Sequence, residues 1–330
     1  MNLMAFSPFI RNMLMSALLL VLPIKTGNAQ GLRDSLAPYT PIAQLSGGIK
    51  IVGSDSMNNV ISKLSEQFRK IYPGITIEIE GKGSASAPPA LVEGTAQIGA
   101  MSRPMKKEEV ALFRQKYNVL PTRIRLAVDA VAVFVNKDNP IKCLTLPQLD
   151  AIFSSTRKAG LDQDLQKWEQ LSLKDPIWIN KPIITVGRNA ASGTYAFFKD
   201  TVLQGGDFKP SVKEQPGSSS VVQIIGRDKY AIGYSGLEYK TPETWAIDIA
   251  DDKGNCVHAS QESAYNSSYP LARFLYLYIL ASAKTPLNPA LSEFIKFSLS
   301  SDGQKIVKDD GYFPVPMNFV QEDKGLLGLE

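Results

Sequence analysis

Apolar and polar residues alternate through Ile75, Ile77 and Ile79, whereas Val60, Ile61, Leu64, Phe68 and Ile71 recur at helical spacing. The first pattern predicts a half-buried strand and the second an amphipathic helix. Just upstream, Ile49-Lys50-Ile51-Val52 predicts another strand, which runs into the turn Gly53-Ser54-Asp55-Ser56-Met57 and then the helix. Pro73-Gly74 stops that helix. The strand-turn-helix-strand unit then repeats in kind. Gly81-Lys82-Gly83-Ser84-Ala85-Ser86 leads to Pro88-Pro89, which suit a helix's first turn, and Gly94 closes the helix. A strand over residues 96–100 opens into Met101-Ser102-Arg103-Pro104-Met105 and a further helix. Strands alternating with helices predict a mainly parallel sheet covered on both faces.

Two long apolar stretches, 124–135 and 271–278, lie far apart in sequence. Such a pair is expected where a chain crosses twice between lobes, which places residues 47–130 and 270–322 in one lobe and 131–269 in the other, with a ligand cleft between them. The second lobe is expected to contain helical and loop elements over 144–153 and at Trp168, then a strand over 183–186. A helix bearing Tyr195, Phe198 and Val202, a turn at 217–220, a helix from Val221 and a strand over 230–234 follow. The tail from Pro289 to Val307 is expected to be helical and to return to the first lobe. No low-complexity tract or fixed-period repeat interrupts the pattern.

The N-terminus changes the picture, because Arg11 precedes an apolar run over residues 13–22 that is followed by Gly27-Asn28-Ala29. That is the layout of a secretory signal over residues 1–29, with cleavage expected near Ala29 and a periplasmic or extracellular mature chain. The run is far shorter than the ~20 residues that span a bilayer. No cysteine stands near the cleavage point to carry a lipid. Across 330 residues, 44% are hydrophobic and 21% charged, an ordinary globular balance with enough apolar material for more than one core. The formal net charge of +4 drops to +2 without Arg11 and Lys25. So weak a balance, with no basic cluster, argues against nucleic acid as a partner. Cys143 and Cys256 could pair in an exported protein, and the sequence leaves that open.

The candidate chemistry lies in four turns rich in glycine and hydroxyl residues, at 53–57, 83–86, 101–103 and 188–194. Each is expected at a strand-to-helix junction, where unpaired backbone N–H groups and the helix dipole favour an anion. Hydroxyls add donors, and Arg188 offers a planar fork suited to two oxygens of one tetrahedral anion. Singly, each turn is as well explained by helix capping, and Arg188 by a surface ion pair. Together they point to a small oxyanion.

In these turns, and in Ile98-Gly99-Ala100-Met101-Ser102-Arg103-Pro104 and Ala231-Ile232-Gly233-Tyr234, the chain resembles the periplasmic phosphate-binding proteins of high-affinity phosphate ABC transporters. The resemblance spans nearly the whole mature chain. It implies an α/β, two-lobed periplasmic binding protein of type II, with a mixed sheet in each lobe and a two-strand hinge. It also implies inorganic phosphate as ligand, the permease and ATPase of an ABC importer as partners, no cofactor, no metal and no catalysis. The family's site residues map onto Ser56, Met57 and Ser84, and onto Arg188, Ser192, Gly193 and Thr194. Many relatives carry in the third turn an aspartate that accepts the proton of hydrogen phosphate. This chain has Ser102 followed by Arg103, so both join the candidate set, and Asp55 or Asp129 becomes the candidate acceptor. Without that aspartate, sulfate or another tetrahedral oxyanion is the alternative ligand, and a sensor or surface protein the alternative role. An enzyme acting on phosphate esters is disfavoured: the one histidine, His258, lies in Asn255-Cys256-Val257-His258, away from the turns, and Ser56 and Ser192 have no evident base. A hinged receptor needs no second subunit, so a monomer is expected.

Overall fold

A computed structural model describes residues 36–281 and 287–329; the signal segment expected over residues 1–29 lies outside them. The described residues contain strands β1 (Ser46–Gly53), β2 (Gly74–Glu80), β3 (Ile98–Met101), β4 (Thr122–Asn136), β5 (Cys143–Leu144), β6 (Ile184–Arg188), β7 (Lys213–Gln215), β8 (Ala231–Gly236), β9 (Thr244–Ala250), β10 (Cys256–Val257) and β11 (Ala272–Ile279). The main path of the sheet runs β2-β1-β3-β11-β4-β8-β6-β7.

Within that path, β1 pairs parallel with β2 and β3, and β6 pairs parallel with β7 and β8. The sheet is mixed, as the family resemblance implied, whereas the alternation of strands and helices alone had suggested a mainly parallel one. β11 runs antiparallel to β3 and β4, and β4 antiparallel to β8 and β9. The reason is that β4 and β11 run against their neighbours rather than returning through crossover helices.

At fifteen residues β4 is long enough to reach roughly 50 Å, and every position from Ile124 onward is buried. Its first half pairs with β11 and its second with β8 and β9. A continuous apolar run is what a strand covered on both faces requires. Two main cores form on either side of this seam. One gathers Ile51, Val60, Leu64, Phe68 and Ile98 with Phe294 and Val307, so the C-terminal helices Pro289–Ser298 and Ser301–Asp309 pack beside β1. The other gathers Val133, Phe153, Trp168, Phe198 and Tyr234. Phe198 and Tyr234 stack with centroids 3.9 Å apart.

The helical tail breaks at Leu299, where Ser300 caps the next helix by accepting from Gly303 N at 3.2 Å. Helix Met317–Leu327, β9 and β10 had no counterpart in the sequence reading. A disulfide joins Cys143 of β5 to Cys256 of β10, with Cα atoms 6.0 Å apart. β5 and β10 both pair with β9, which brings the two cysteines together. Among the described residues no helix is long and apolar enough to cross a membrane.

Candidate functional site

Five loops converge, each at the carboxyl end of a strand, where open α/β sheets place their ligands. Four are the turns singled out in the sequence, following β1, β2, β3 and β6; the fifth follows β7 and opens helix Ser218–Arg227. Their close approach depends on glycine. Gly53 has φ +146°, and a Cβ there would lie 1.9 Å from the Ala100 carbonyl oxygen. Gly83, at φ +104°, sits where a Cβ would come 2.5 Å from the carbonyl oxygen of Ala191, across the seam in the loop after β6. Next to it, Ala85 N donates to that same oxygen at 3.1 Å.

The hydroxyls form two adjoining groups. Ser54 Oγ donates to Ser102 Oγ at 3.0 Å, and Ser84 Oγ lies 3.3 Å from Ser102 Oγ and accepts from Ser102 N at 3.0 Å. In the second group Ser56 Oγ lies 3.0 Å from Thr194 Oγ1 and 3.2 Å from Ser218 Oγ. Gly193, next in sequence to Thr194 of the second group, packs on the first: a Cβ on it would fall 2.3 Å from Ser84 Oγ and 2.5 Å from Ser102 Oγ. Ser192 caps the helix Gly193–Thr201, its Oγ accepting from Thr194 N and Tyr195 N. Each of these hydroxyl residues is at most 3% exposed. Burying so many polar groups is costly unless each is hydrogen-bonded, and here they partner one another.

Two guanidiniums flank the second group. Arg188, 1% exposed, donates through Nη1 to Ser218 Oγ at 2.6 Å and through Nη2 to Asp55 at 3.2 Å and the Pro216 carbonyl at 2.9 Å. Burial lowers its pKa, and the nearby Asp55 carboxylate opposes that shift. Asp55 also accepts from Ser218 N at 2.9 Å, at the first residue of its helix. Arg273 on β11 donates to Asp129 of β4 at 2.8 Å and to Thr194 Oγ1 at 2.9 Å. Arg188 Nε, Arg273 Nη1 and Asp129 Oδ1 are buried without a hydrogen-bond partner among the described residues.

Below the cluster, Tyr312 and Tyr239 both donate to the Ser56 carbonyl oxygen, and Tyr312 shares its one proton between that oxygen and Glu238 Oε1 at 2.6 Å. Burial, with Asp129 nearby, pushes the Glu238 carboxyl well above the usual carboxylate range, and burial likewise raises Tyr312.

Of the residues expected from sequence, Ser56, Ser84, Ser102, Arg188, Ser192, Gly193 and Thr194 come together, with Asp55 beside Arg188 and Asp129 reached through Arg273. Met57 does not join the hydroxyls by its side chain, which is buried in the core beside β1, and its N–H donates to Ser54 O at 3.2 Å. Arg103 also turns elsewhere: its guanidinium forms a fork on Glu109, at 2.8 and 2.6 Å, and donates to the Pro104 carbonyl. Glu109 sits three residues into the following helix, close enough in sequence to claim the arginine. Sequence reasoning missed Ser54, Ser218, Arg273, Glu238, Tyr239 and Tyr312. Ser54 and Ser218 stood inside turns already noted, and Arg273 was the lone charge in an apolar strand; the other three carried no local signal. His258 is exposed and pairs with Asp248 at 2.8 Å.

Comparison with known proteins identifies the family. Residues 39–302 match the PBP superfamily domain. The phosphate-binding protein PstS of Pseudomonas aeruginosa is 45% identical over 296 residues, covering 89% of this chain and 91% of that protein. PstS of Staphylococcus haemolyticus is 31% identical over 82% of each. Among solved structures, a putative phosphate ABC transporter substrate-binding protein from Clostridium perfringens, with bound phosphate, superposes with a TM-score of 0.69 at 27% identity, covering 82% of this chain and 100% of that one. The chain therefore belongs to the PBP superfamily and, within it, to the family of the phosphate-binding protein PstS.

Proposed function

We propose that the protein captures inorganic phosphate outside the cytoplasmic membrane and delivers it to the permease and ATPase of an ABC importer. The observation that carries this reading is the buried meeting of Ser56, Ser84, Ser102, Thr194 and Arg188 at the ends of strands on both sides of the β4 seam. Hydroxyl and guanidinium donors there replace the anion's water shell, and the fixed dipoles need no reorganisation to do so.

Residues 47–130 and 270–322 act as one lobe and 131–269 as the other, with β4 and β11 as the two crossings. Residues 1–29 direct export and are removed near Ala29. Only the closed form brings donors from both lobes onto one anion, so phosphate favours closure, and closure is what the transporter reads. The role is binding and delivery rather than catalysis.

Selectivity against sulfate requires an acceptor for the ligand's proton, since Ser102 stands where many relatives have aspartate. Asp55, beside Arg188, and Asp129, whose Oδ1 is buried and unpartnered, are the carboxylates placed to supply it. An anion with no proton would leave such an acceptor unsatisfied, at roughly 1–3 kcal/mol or more.

The test is calorimetric titration of phosphate into mature protein freed of anion, with sulfate as competitor, on wild type and on Arg188→Ala, Asp55→Asn and Asp129→Asn. Tight binding that ignores sulfate and collapses in the Arg188 variant supports the reading, and the aspartate variant that begins to admit sulfate identifies the acceptor. Equal binding of sulfate makes this a different oxyanion receptor, and no phosphate binding ends the proposal.

A further inference from the structure

From the geometry around β11 we infer that Arg273 is a second cationic residue of the anion site, positioning Thr194 as a hydrogen-bond donor to the bound oxyanion. This deepens the phosphate-binding reading and rests on it.

Arg273 stands in register with Asp129 across the β11–β4 pair, and alternation along β11 sends both away from the face that carries Phe274 and Val128. Its side chain is 5% exposed. Phe197 covers the guanidinium, the ring centroid lying 5.1 Å from Cζ, which holds the fork in place. Nε donates to Asp129 Oδ2 at 2.8 Å, and Nη2 reaches both that oxygen at 2.8 Å and Thr194 Oγ1 at 2.9 Å.

An arginine serving only to neutralise Asp129 would have no need of Thr194. Because Arg273 occupies a lone pair of Oγ1, the Thr194 proton is turned away from the guanidinium, toward Ser56 Oγ at 3.0 Å and the surrounding cluster. In a planar guanidinium one Nη1 proton runs parallel to the Nη2 proton that meets Thr194. Nη1 is buried and has no other partner among the described residues, so it is directed to the same place. Arg188 does the same from the far side, donating to Ser218 Oγ and lying 3.5 Å from Ser56 Oγ. The path Arg188, Ser56, Thr194, Arg273 is thus a row of hydroxyls held between two forks, each end accepting from a guanidinium so that the hydroxyl protons turn inward, where an anion's oxygens can take them.

The test is a double-mutant cycle on phosphate affinity with Arg273→Lys, Thr194→Val and the pair, measured by calorimetry, with unfolding temperature recorded without phosphate. Lysine keeps the charge for Asp129 and loses the fork, so Arg273→Lys is expected to weaken phosphate about tenfold or more while unfolding close to wild type. In the Thr194→Val background the same lysine change is expected to cost much less, because the hydroxyl it positions is gone. Wild-type affinity in Arg273→Lys, or fully additive losses in the pair, overturns the inference. If Arg273→Lys proves unstable, Arg273→Gln with Asp129→Asn removes both charges together, and unchanged affinity in that variant overturns it equally. Failure of wild type itself to bind phosphate would instead reject the functional reading.

Discussion

Asp55 Oδ2 receives Arg188 Nη2 at 3.2 Å and Ser218 N at 2.9 Å, so one carboxylate from the loop after β1 holds both the principal cation and a helix start on the other side of the seam. Asp55 remains partly in contact with solvent, its side chain 24% exposed, whereas Arg188 is sealed. Asp55→Asn leaves the guanidinium without its counter-charge. Removing one partner of a fully buried pair costs about 3–5 kcal/mol, and the partial exposure here scales that to roughly 1–3 kcal/mol. Urea unfolding of the anion-free protein checks it; a midpoint equal to wild type at unchanged slope would show that the pair contributes nothing to stability.

Gly193 is required for the space its missing side chain leaves. A methyl there would press on Ser84 Oγ and Ser102 Oγ, and on Ser84 Cβ at 2.9 Å, which have no flexible length to give. Gly193→Ala is expected to push Ser84 and Ser102 apart and to weaken phosphate binding about five- to 150-fold, the range that 1–3 kcal/mol of overpacking produces. The helix itself tolerates alanine, so circular dichroism should stay near wild type while calorimetry reports the loss.

The Cys143–Cys256 bridge closes a span of 113 residues around β9 and lies in the part of the chain that carries β5 and β10. Loop-closure entropy assigns such a span about 4–5 kcal/mol of stability. The double variant Cys143→Ser with Cys256→Ser is expected to unfold at markedly lower temperature. Phosphate affinity below that temperature should stay within a few-fold of wild type, since neither cysteine belongs to the hydroxyl cluster. A large affinity loss in the folded variant would tie this edge of the sheet to the site.

The turns were legible because local chemistry writes them: glycine for close approach, hydroxyls for caps, and apolar spacing for the strands and helices on either side. That was enough to gather Ser56, Ser84, Ser102, Arg188, Ser192, Gly193 and Thr194. Residues recruited through distant contacts were not legible. Tyr312 follows the helix Ser301–Asp309 yet donates to the carbonyl of Ser56, 256 positions away, and nothing near either residue in sequence encodes that meeting. Arg103 misled for the opposite reason. Its motif placed it beside the site, but Glu109, six residues on, offers it a two-oxygen fork that no pattern of single residues displays. The mixed sheet was legible only through the family resemblance, since apolar runs such as 271–278 reveal burial and not strand direction.

Glu238 gives the protein a pH dependence whose sign can be worked out. Its carboxyl faces Tyr312, which donates to it, with Tyr239, Asp129 and Arg273 around it, and burial holds its folded pKa well above the ordinary range. The unfolded chain releases this proton near pH 4.3, the value of a free glutamate, whereas the folded chain keeps it to higher pH. Between those two points the folded state binds more protons, so stability falls as pH rises, with a limiting slope of about 1.4 kcal/mol per pH unit from this group. The contribution is fully present below the unfolded value and is lost as pH climbs through the folded one. Glu238→Gln keeps an oxygen for Tyr312 and removes the proton, so its unfolding temperature should fall less than that of wild type from acid to neutral pH. Parallel curves for the two proteins would mean that Glu238 ionises normally and that the Tyr312 contact does not depend on its proton.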